Sequence, residues 1–380
     1  MKEYTASDLL RVAKRQNNKK RSYLLIDPLQ AKHLAVSPSK ALAMMDCLGK
    51  KLAEKYPSAR LLIGFAETAT AIGAAAAERM GNGCIYLTTT REPYTAGRWI
   101  EFLEEHSHAA EQRLSETHLS EWIHSTDTVI LLDDELSTGK TLRNMVRQLR
   151  EHFPELSQKK IIAASILNRL TEEQERLMKE EGIASEYLLK LPETDFSREL
   201  AVETKEAADP PLPEPDTVPP CISLPGVLPN PRFGAEIGTY CSHCRRLSRD
   251  ILKRWADLLT ASERILVLGT EECMFPALVL GREIEEHFSK AQVFCHATTR
   301  SPIGISSSPG YPIWEGFRLP GLYDANRATY LYNLNRYDLV LVLTDAAAPS
   351  PISLRALYGA LRRQGCKNIL FLTQKTAEGI

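Results

Sequence analysis

The sequence predicts an α/β protein made of two doubly wound, mostly parallel-sheet domains. Three observations predict it. A proline- and acid-rich stretch divides the 380 residues near their middle. Short apolar runs alternate with helix-period segments in each half, the pattern of strands joined by crossover helices. One apolar run in the first half ends on two aspartates and a small-residue loop, the place where open α/β sheets bind ligands.

The chain exceeds the size at which a single core keeps growing, so two domains are expected. We place the first at residues 1–200, the linker at 201–222 and the second domain at 223–380. The linker contains AVETKEAADPPLPEPDTVPP, whose prolines favour an extended, semi-rigid spacer. Hydrophobic residues at 43% and charged residues at 25% exclude a chain disordered throughout. Forty-seven basic against forty-eight acidic side chains leave a charge of -1, which excludes generic nucleic-acid binding through a basic field. The short run Lys19-Lys20-Arg21 reads as a solvated turn before a strand.

Residues Tyr4 to Gln16 mix apolar and polar side chains at helical spacing, with no signal-peptide core. No stretch reaches the ~18 apolar residues of a membrane span. A soluble, cytoplasmic protein is therefore expected, with its eight cysteines reduced.

In the first half, strands are predicted over Ser22–Ile26, Arg60–Ile63, Cys84–Leu87, Thr128–Leu132 and Ile161–Leu167. Helices are predicted over Ser37–Lys55, Thr70–Met80 and Thr141–His152. The second half repeats the alternation, with strands over Arg264–Leu268, Gln292–His296, Tyr337–Leu343 and Asn368–Leu372, and a helix over Pro276–Phe288.

From Val129 the chain reads V-I-L-L-D-D-E-L-S-T-G-K-T. A buried strand delivers Asp133 and Asp134 at its C-terminal end, and Ser137, Thr138, Gly139, Lys140 and Thr141 open the next helix. Amides in such a loop and at a helix start cradle phosphate. Paired carboxylates accept hydrogen bonds from sugar hydroxyls. A nucleotide-binding P-loop would need glycine where Asp134 stands, and a carboxylate there carries the wrong charge. An ordinary strand followed by a capped helix is the bland alternative.

The segment resembles the phosphoribosyl diphosphate signature of type I phosphoribosyltransferases. The resemblance implies that Asp133 and Asp134 hold the ribose hydroxyls and that Ser137 to Thr141 bind the 5-phosphate. Glu135 and Lys140 depart from the apolar or small residues usual in the signature. By the same resemblance GFAETATAIG, Gly64 to Gly73, occupies the place of the diphosphate loop and puts Glu67, Thr68 and Ala69 beside the anion, with Mg2+ between it and Glu67. Arg91 in TTTREPY would neutralise the diphosphate leaving group. FLEEHSHAAEQRL, from Phe102, takes the position of the family's mobile hood, with His106 and His108 within reach of the substrate on closure. A surface helix end carrying two incidental histidines is its plain alternative.

HATTRSPIG, from His296, and GTEECMFPAL, from Gly269, resemble the TRSP domain that follows a phosphoribosyltransferase domain in proteins of bacterial tellurite-resistance and stress clusters. GFAETAT and EEHSHA resemble that family's first domain. The resemblance implies a first domain of orotate phosphoribosyltransferase-like fold, a Rossmann-like second domain and a glycosyltransferase of the pentosyltransferase class, needing Mg2+. It further implies phosphoribosyl diphosphate and a small-molecule acceptor as partners, no nucleic acid or membrane, and room for a homodimer. A nucleoside-like product is the expected metabolite. The alternative of a different class is a non-catalytic sensor of phosphoribosyl compounds, and a smaller one gives the TRSP half its own hydrolase or transferase step.

An internal echo joins the halves: Gly64, Glu67 and Thr89-Thr90-Arg91 against Gly269, Glu271 and Thr298-Thr299-Arg300, and VILLDD at Val129 against VLVLTD at Val340. AAAPSP after Asp345 lacks the glycine and threonines of a phosphate loop. The second domain thus reads as a diverged copy that lost a phosphate site and kept an anion site around Arg300, an idea that a different strand order would end. Cys241 and Cys244 lack the second pair a structural zinc site needs and are read as ordinary thiols, with no metal ligands assigned. Pro231-Arg232-Phe233-Gly234 is read as a turn.

Overall fold

The computed structural model describes residues 2–16, 22–102, 112–194, 196 and 202–377. The N-terminal stretch is mostly extended rather than helical. A four-residue helix α1 (Ala6–Leu9) leads into β1 (Arg11–Lys14), which pairs antiparallel with β2 (Tyr23–Ile26). Over so short a stretch helical spacing and strand alternation overlap, and the hairpin wins by burying Ala13 and Ile26 against Ile303, Ile305 and Tyr332 of the second half.

The first domain then alternates α2 (Pro38–Lys55), β3 (Leu61–Gly64), α3 (Ala69–Met80) and β4 (Ile85–Thr88). A hairpin follows, β5 (Trp99–Phe102) with β6 (Gln112–Ser115), then α4 (Leu119–His124). Next come β7 (Thr128–Leu136), α5 (Lys140–His152), β8 (Lys160–Asn168), α6 (Glu172–Glu180) and β9 (Ile183–Lys190). Of the segment read as a hood, Phe102 ends β5 and Gln112 to Leu114 begin β6, and His106 and His108 fall outside the described residues.

The second half runs β10 (Cys221–Leu228), β11 (Ala235–Glu236), α7 (Ile237–Arg254), α8 (Ala256–Thr260), β12 (Arg264–Thr270), α9 (Phe275–His287) and β13 (Gln292–Thr298). A hairpin, β14 (Gly316–Pro320) with β15 (Ala328–Tyr332), precedes β16 (Leu339–Thr344), α10 (Pro351–Arg363) and β17 (Asn368–Thr376).

The two main sheets share a plan. The first has the order β11-β4-β3-β7-β8-β9, parallel except for β11; the second has β10-β17-β16-β12-β13, parallel throughout. In each, the first core strand has the second on one side and the third and fourth on the other: β4-β3-β7-β8 against β13-β12-β16-β17. An antiparallel hairpin interrupts each unit between its second and third core strands. The duplication thus meets the strand-order criterion set by the sequence, and the units part only at their outer strands.

Edge strands are exchanged between the units. Val36, just before α2, pairs antiparallel with Cys295 of β13, and Ala235, just before α7, pairs antiparallel with Tyr86 of β4. A single apolar cluster runs across the junction through Met44, Leu48, Ala71, Ala75, Ile237, Leu278 and Ile284. The linker is no free spacer either. Lys205 and Ile305 exchange backbone hydrogen bonds of 2.9 Å, Ala208 bonds the β14 strand, and Arg355 Nη2 donates to the Pro213 carbonyl at 2.8 Å. Its prolines hold an extended backbone that serves as an edge to the second domain.

Candidate substrate site and the domain junction

Strand β7 is buried from Thr128 to Leu132 and brings Asp133 and Asp134 out at its C-terminal end. It runs to Leu136, beyond the predicted apolar run, so the loop before α5 is only Ser137, Thr138 and Gly139. Gly139 has φ +68° at the helix N-cap, and a Cβ there would stand 2.9 Å from Met178 Sδ. Glycine takes this left-handed turn without strain and leaves room for Met178. Lys140 N donates to Thr138 Oγ1 at 3.4 Å, and Lys140 and Thr141 lie exposed on the first turn. Leu142, Met145, Val146 and Leu149 bury the helix face that fixes this turn against the core.

The acids crowd one another. Asp133 Oδ1 accepts the Asp134 amide at 2.8 Å. Burial, and next the charge of Asp134, hold the Asp133 carboxyl well above the usual carboxylate range. Asp27, at the end of β2, adds a third carboxyl that the sequence reading missed. It is buried, its Oδ1 accepts the Leu29 amide at 2.8 Å and its Oδ2 has no partner. Burial, with a smaller contribution from Asp134, pushes it up to about 7. Asp27-Pro28 reads as a strand-ending turn, so nothing local marked it. Glu135 is taken up elsewhere, 3.3 Å from Arg169.

The loop from Gly64 to Ala69 joins β3 to α3. Thr89 Oγ1 accepts the Ala66 amide at 2.8 Å and fixes the bend. Glu67 is 5% exposed and turns toward the second domain. Thr299 Oγ1 donates to its Oε1 at 2.9 Å, the Arg300 amide lies 3.3 Å from both of its oxygens, and Arg300 Nε lies 3.5 Å from Oε2. Lys32, also buried, approaches it at 3.4 Å and hydrogen-bonds Thr68 Oγ1. Protein cations and donors thus meet Glu67 where the sequence reading set Mg2+.

A mirrored contact stands across the junction. Thr90 Oγ1 donates to Glu272 Oε2 at 2.8 Å, the Arg91 amide donates to Glu272 Oε1 at 3.0 Å, and Arg232 Nε donates to Glu272 Oε2 at 2.7 Å. Glu67 and Glu272 both follow their glycines, Gly64 and Gly269, by three positions, so the structural counterpart of Glu67 is Glu272 rather than Glu271. Arg91 itself is exposed at the end of this turn. Arg300 is enclosed by carboxylates: besides Glu67 it meets Glu271 at 2.8 Å, Glu272 at 3.7 Å and Glu92. Arg327 closes the ring, 2.7 Å from Glu92 and 2.8 Å from Glu271.

The second unit's strand end is filled from within. Asp345, at the exit of β16, receives Arg232 Nη1 at 2.6 Å and the Tyr323 hydroxyl. Arg232, read as part of a turn, is thus a buried link between Glu272 and Asp345. Cys241 and Cys244 are free thiols on α7, and among the described residues no group of three or more metal-ligating side chains stands together.

An open parallel sheet with an acid pair at one strand exit, followed by a short turn into a helix, defines an α/β protein whose first unit has the kind of strand exit at which such sheets bind ligands. Residues 9–190 match the family model described as a phosphoribosyl transferase, and residues 231–361 match that of the TRSP domain found C-terminal to it. The chain therefore carries a phosphoribosyl transferase domain followed by a TRSP domain. No curated protein matches it. Solved structures similar to the chain include APRTase from Giardia lamblia, 16% identical, with a TM-score of 0.35 over 49% of this chain and 96% of that one. Orotate phosphoribosyltransferase from Aeropyrum pernix is also 16% identical, with a TM-score of 0.32 over 49% of this chain and 89% of that one. Adenine phosphoribosyltransferase from Trypanosoma brucei, in complex with AMP, pyrophosphate and ribose-5-phosphate, is 15% identical, with a TM-score of 0.34 over 48% and 76%.

Proposed function

We propose that the chain is a phosphoribosyltransferase that moves a 5-phosphoribosyl group from phosphoribosyl diphosphate to a small acceptor. The observation that carries this reading is the crowded acid pair Asp133–Asp134 at the exit of β7, directly before the Ser137–Gly139 turn and the amides of α5. Two carboxyls that repel each other gain by accepting ribose hydroxyls, and the adjoining amides suit the 5-phosphate.

In the reaction an acceptor lone pair forms a bond to the anomeric carbon while the bond from that carbon to the diphosphate oxygen breaks and its electrons leave with diphosphate. The protein's part is to position the ribose, exclude water and offset charge. Arg91 is the exposed cation nearest in sequence to the loop's anchor, Thr89, and is assigned to the leaving group. Thr68 offers its backbone at the start of α3, whereas the Ala69 amide is spent on the Phe65 carbonyl at 2.9 Å. Mg2+ would arrive on the diphosphate oxygens, which demands one or two carboxylates rather than a cage, and Asp133 and Asp134 fit that demand. It would supply positive charge to the departing diphosphate. Synthesis of a nucleoside-like metabolite within the tellurite-resistance and stress setting of TRSP proteins is the context this reading suits. No helix among the described residues is long and apolar enough to cross a membrane.

Incubation with phosphoribosyl diphosphate, Mg2+ and a metabolite extract tests the proposal. Release of diphosphate that disappears in Asp133→Asn and Asp134→Asn is expected. Tight binding without release would assign a sensor, and no binding at all would overturn both readings.

A further inference from the structure

We propose that the Thr299–Arg300 turn of the TRSP domain is a positioning element for the diphosphate loop of the first domain, acting through Glu67. The inference rests on the phosphoribosyl diphosphate reading of that loop. It adds a task for the second domain: the loop takes its substrate-ready shape only when the TRSP turn holds it.

A carboxylate in a loop meant for diphosphate is a liability, because it repels the ligand and is costly to bury. Here that charge is met from both domains, and most of the groups that meet it come from the other one. The loop's own unit supplies Lys32 at 3.4 Å, and the TRSP turn supplies the Thr299 hydroxyl at 2.9 Å, the Arg300 amide at 3.3 Å and the Arg300 guanidinium at 3.5 Å. These groups draw the Glu67 carboxylate toward the junction. Its backbone meanwhile stays tied to α3, with Thr70 Oγ1 donating to the Glu67 carbonyl at 3.0 Å. Side chain and main chain are thus anchored on opposite domains, and the Thr68 amide follows directly in the chain.

Arg300 is itself held in register. Glu271 and Glu92 fix its guanidinium, and Arg327 bridges the same two acids from the β14–β15 side. Thr299 is aligned by its own turn, with the Ser301 amide donating to its hydroxyl at 3.2 Å. The reciprocal contact of Glu272 with Thr90 and the Arg91 amide gives the TRSP domain a second grip on the same site, at the residue assigned to the leaving group. A domain that only completed the core would need neither contact, since the apolar cluster across α2, α3, α7 and α9 already joins the halves.

The test is titration calorimetry of the full chain with Mg2+ and phosphoribosyl diphosphate, which needs no acceptor. Thr299→Val removes the hydroxyl at nearly constant volume and should weaken binding about tenfold or more, the scale of a lost hydrogen bond to a charged group. Thr299→Ser restores the donor and should bind as the unaltered chain does, which a merely space-filling role does not predict. Tyr323→Phe, in the filled second unit, should leave binding unchanged. Should Thr299→Val not fold, Glu67→Gln serves in its place: it keeps an acceptor for Thr299, drops the charge that Arg300 and Lys32 meet, and should also weaken binding. Equal affinity of Thr299→Val, or of Glu67→Gln in its place, and the unaltered chain would overturn the inference while leaving the site reading intact. Absence of binding by the unaltered chain would remove the site reading and, with it, the inference.

Discussion

The two units of the chain end their third core strands alike and use the ends differently. Leu132 pairs with Gly64 in the first, and Leu343 pairs with Gly269 in the second, so Asp134 and Asp345 occupy matching places two residues on. Around Asp345 the protein sets Arg232 and Tyr323. Around Asp134 it sets two further carboxyls, Asp133 and Asp27, both raised by burial and both feeling the charge of Asp134. One aspartate is part of the scaffold and the other is left in a repulsive neighbourhood that a hydroxylated or cationic ligand relieves. Perturbed acids gathered at a strand exit are the mark of a functional site, and satisfied ones are the mark of structure.

The comparison breaks most sharply at Arg232. Replacing it with Met leaves Glu272 and Asp345 buried without their shared cation, a loss on the order of 3–5 kcal/mol. Denaturant unfolding should show that loss, whereas Arg91→Met, at an exposed position of the first unit, should be nearly silent in stability and act on diphosphate release.

The acids of the first unit should respond in the opposite sense. Asp27 titrates near 7 when folded and near ~3.9 when unfolded. The folded state therefore binds the extra proton between those values, and its stability falls as pH rises from about 4 to about 7. Asp27→Asn removes that fall, so the variant should gain on the unaltered chain as pH rises toward 8. Thermal unfolding across pH 4 to 8 reads the difference, and parallel curves would show that Asp27 is not the neutral acid described.

Asp134→Asn sharpens the contrast between function and scaffold. It relieves repulsion, so stability should hold or rise, while affinity for phosphoribosyl diphosphate should drop about a hundredfold as charge-assisted bonds to the ribose are lost. The matching change at the second unit, Asp345→Asn, should lower stability and leave that affinity unchanged.

What was legible in the sequence was what is local. The strand, the acid pair, the turn and the helix from Val129 to His152 are one uninterrupted segment, so their order alone announced the candidate site. The TRSP turn reached the reading only as an echo of Thr89-Thr90-Arg91, because its partner Glu67 lies 233 residues from Arg300 and no local rule links the two. The echo was offset by one residue, taking Glu271 for Glu272, since both acids suit the pattern and only the contact with Thr90 separates them. The linker misled for a related reason: proline disfavours helix and sheet interior, yet an extended strand that docks as an edge satisfies the same composition. Asp27 was invisible because the acid it feels, Asp134, lies more than a hundred residues away in the chain.

The smallest expected effect lies at Gly139, which has no counterpart in the AAAPSP stretch after Asp345. Its φ of +68° disfavours any side chain by about 1–2 kcal/mol. A Cβ would also press on Met178 Sδ at 2.9 Å and Leu170 Cδ2 at 3.2 Å. Methionine gives way easily, so Gly139→Ala should lower stability by about that strain and little more. Its larger consequence is directional. A turn that relaxes toward the right-handed region rotates the amides after Thr138 away from the acid pair, and so moves the first unit toward the closed form of the second. Binding of inorganic phosphate to Gly139→Ala, measured beside Gly139→Ala/Met178→Ala, separates the two causes. If contact with Met178 is what matters, the double variant recovers phosphate binding. If the left-handed turn is what matters, it does not, and the phosphate-binding shape of the first unit resides in that one backbone angle.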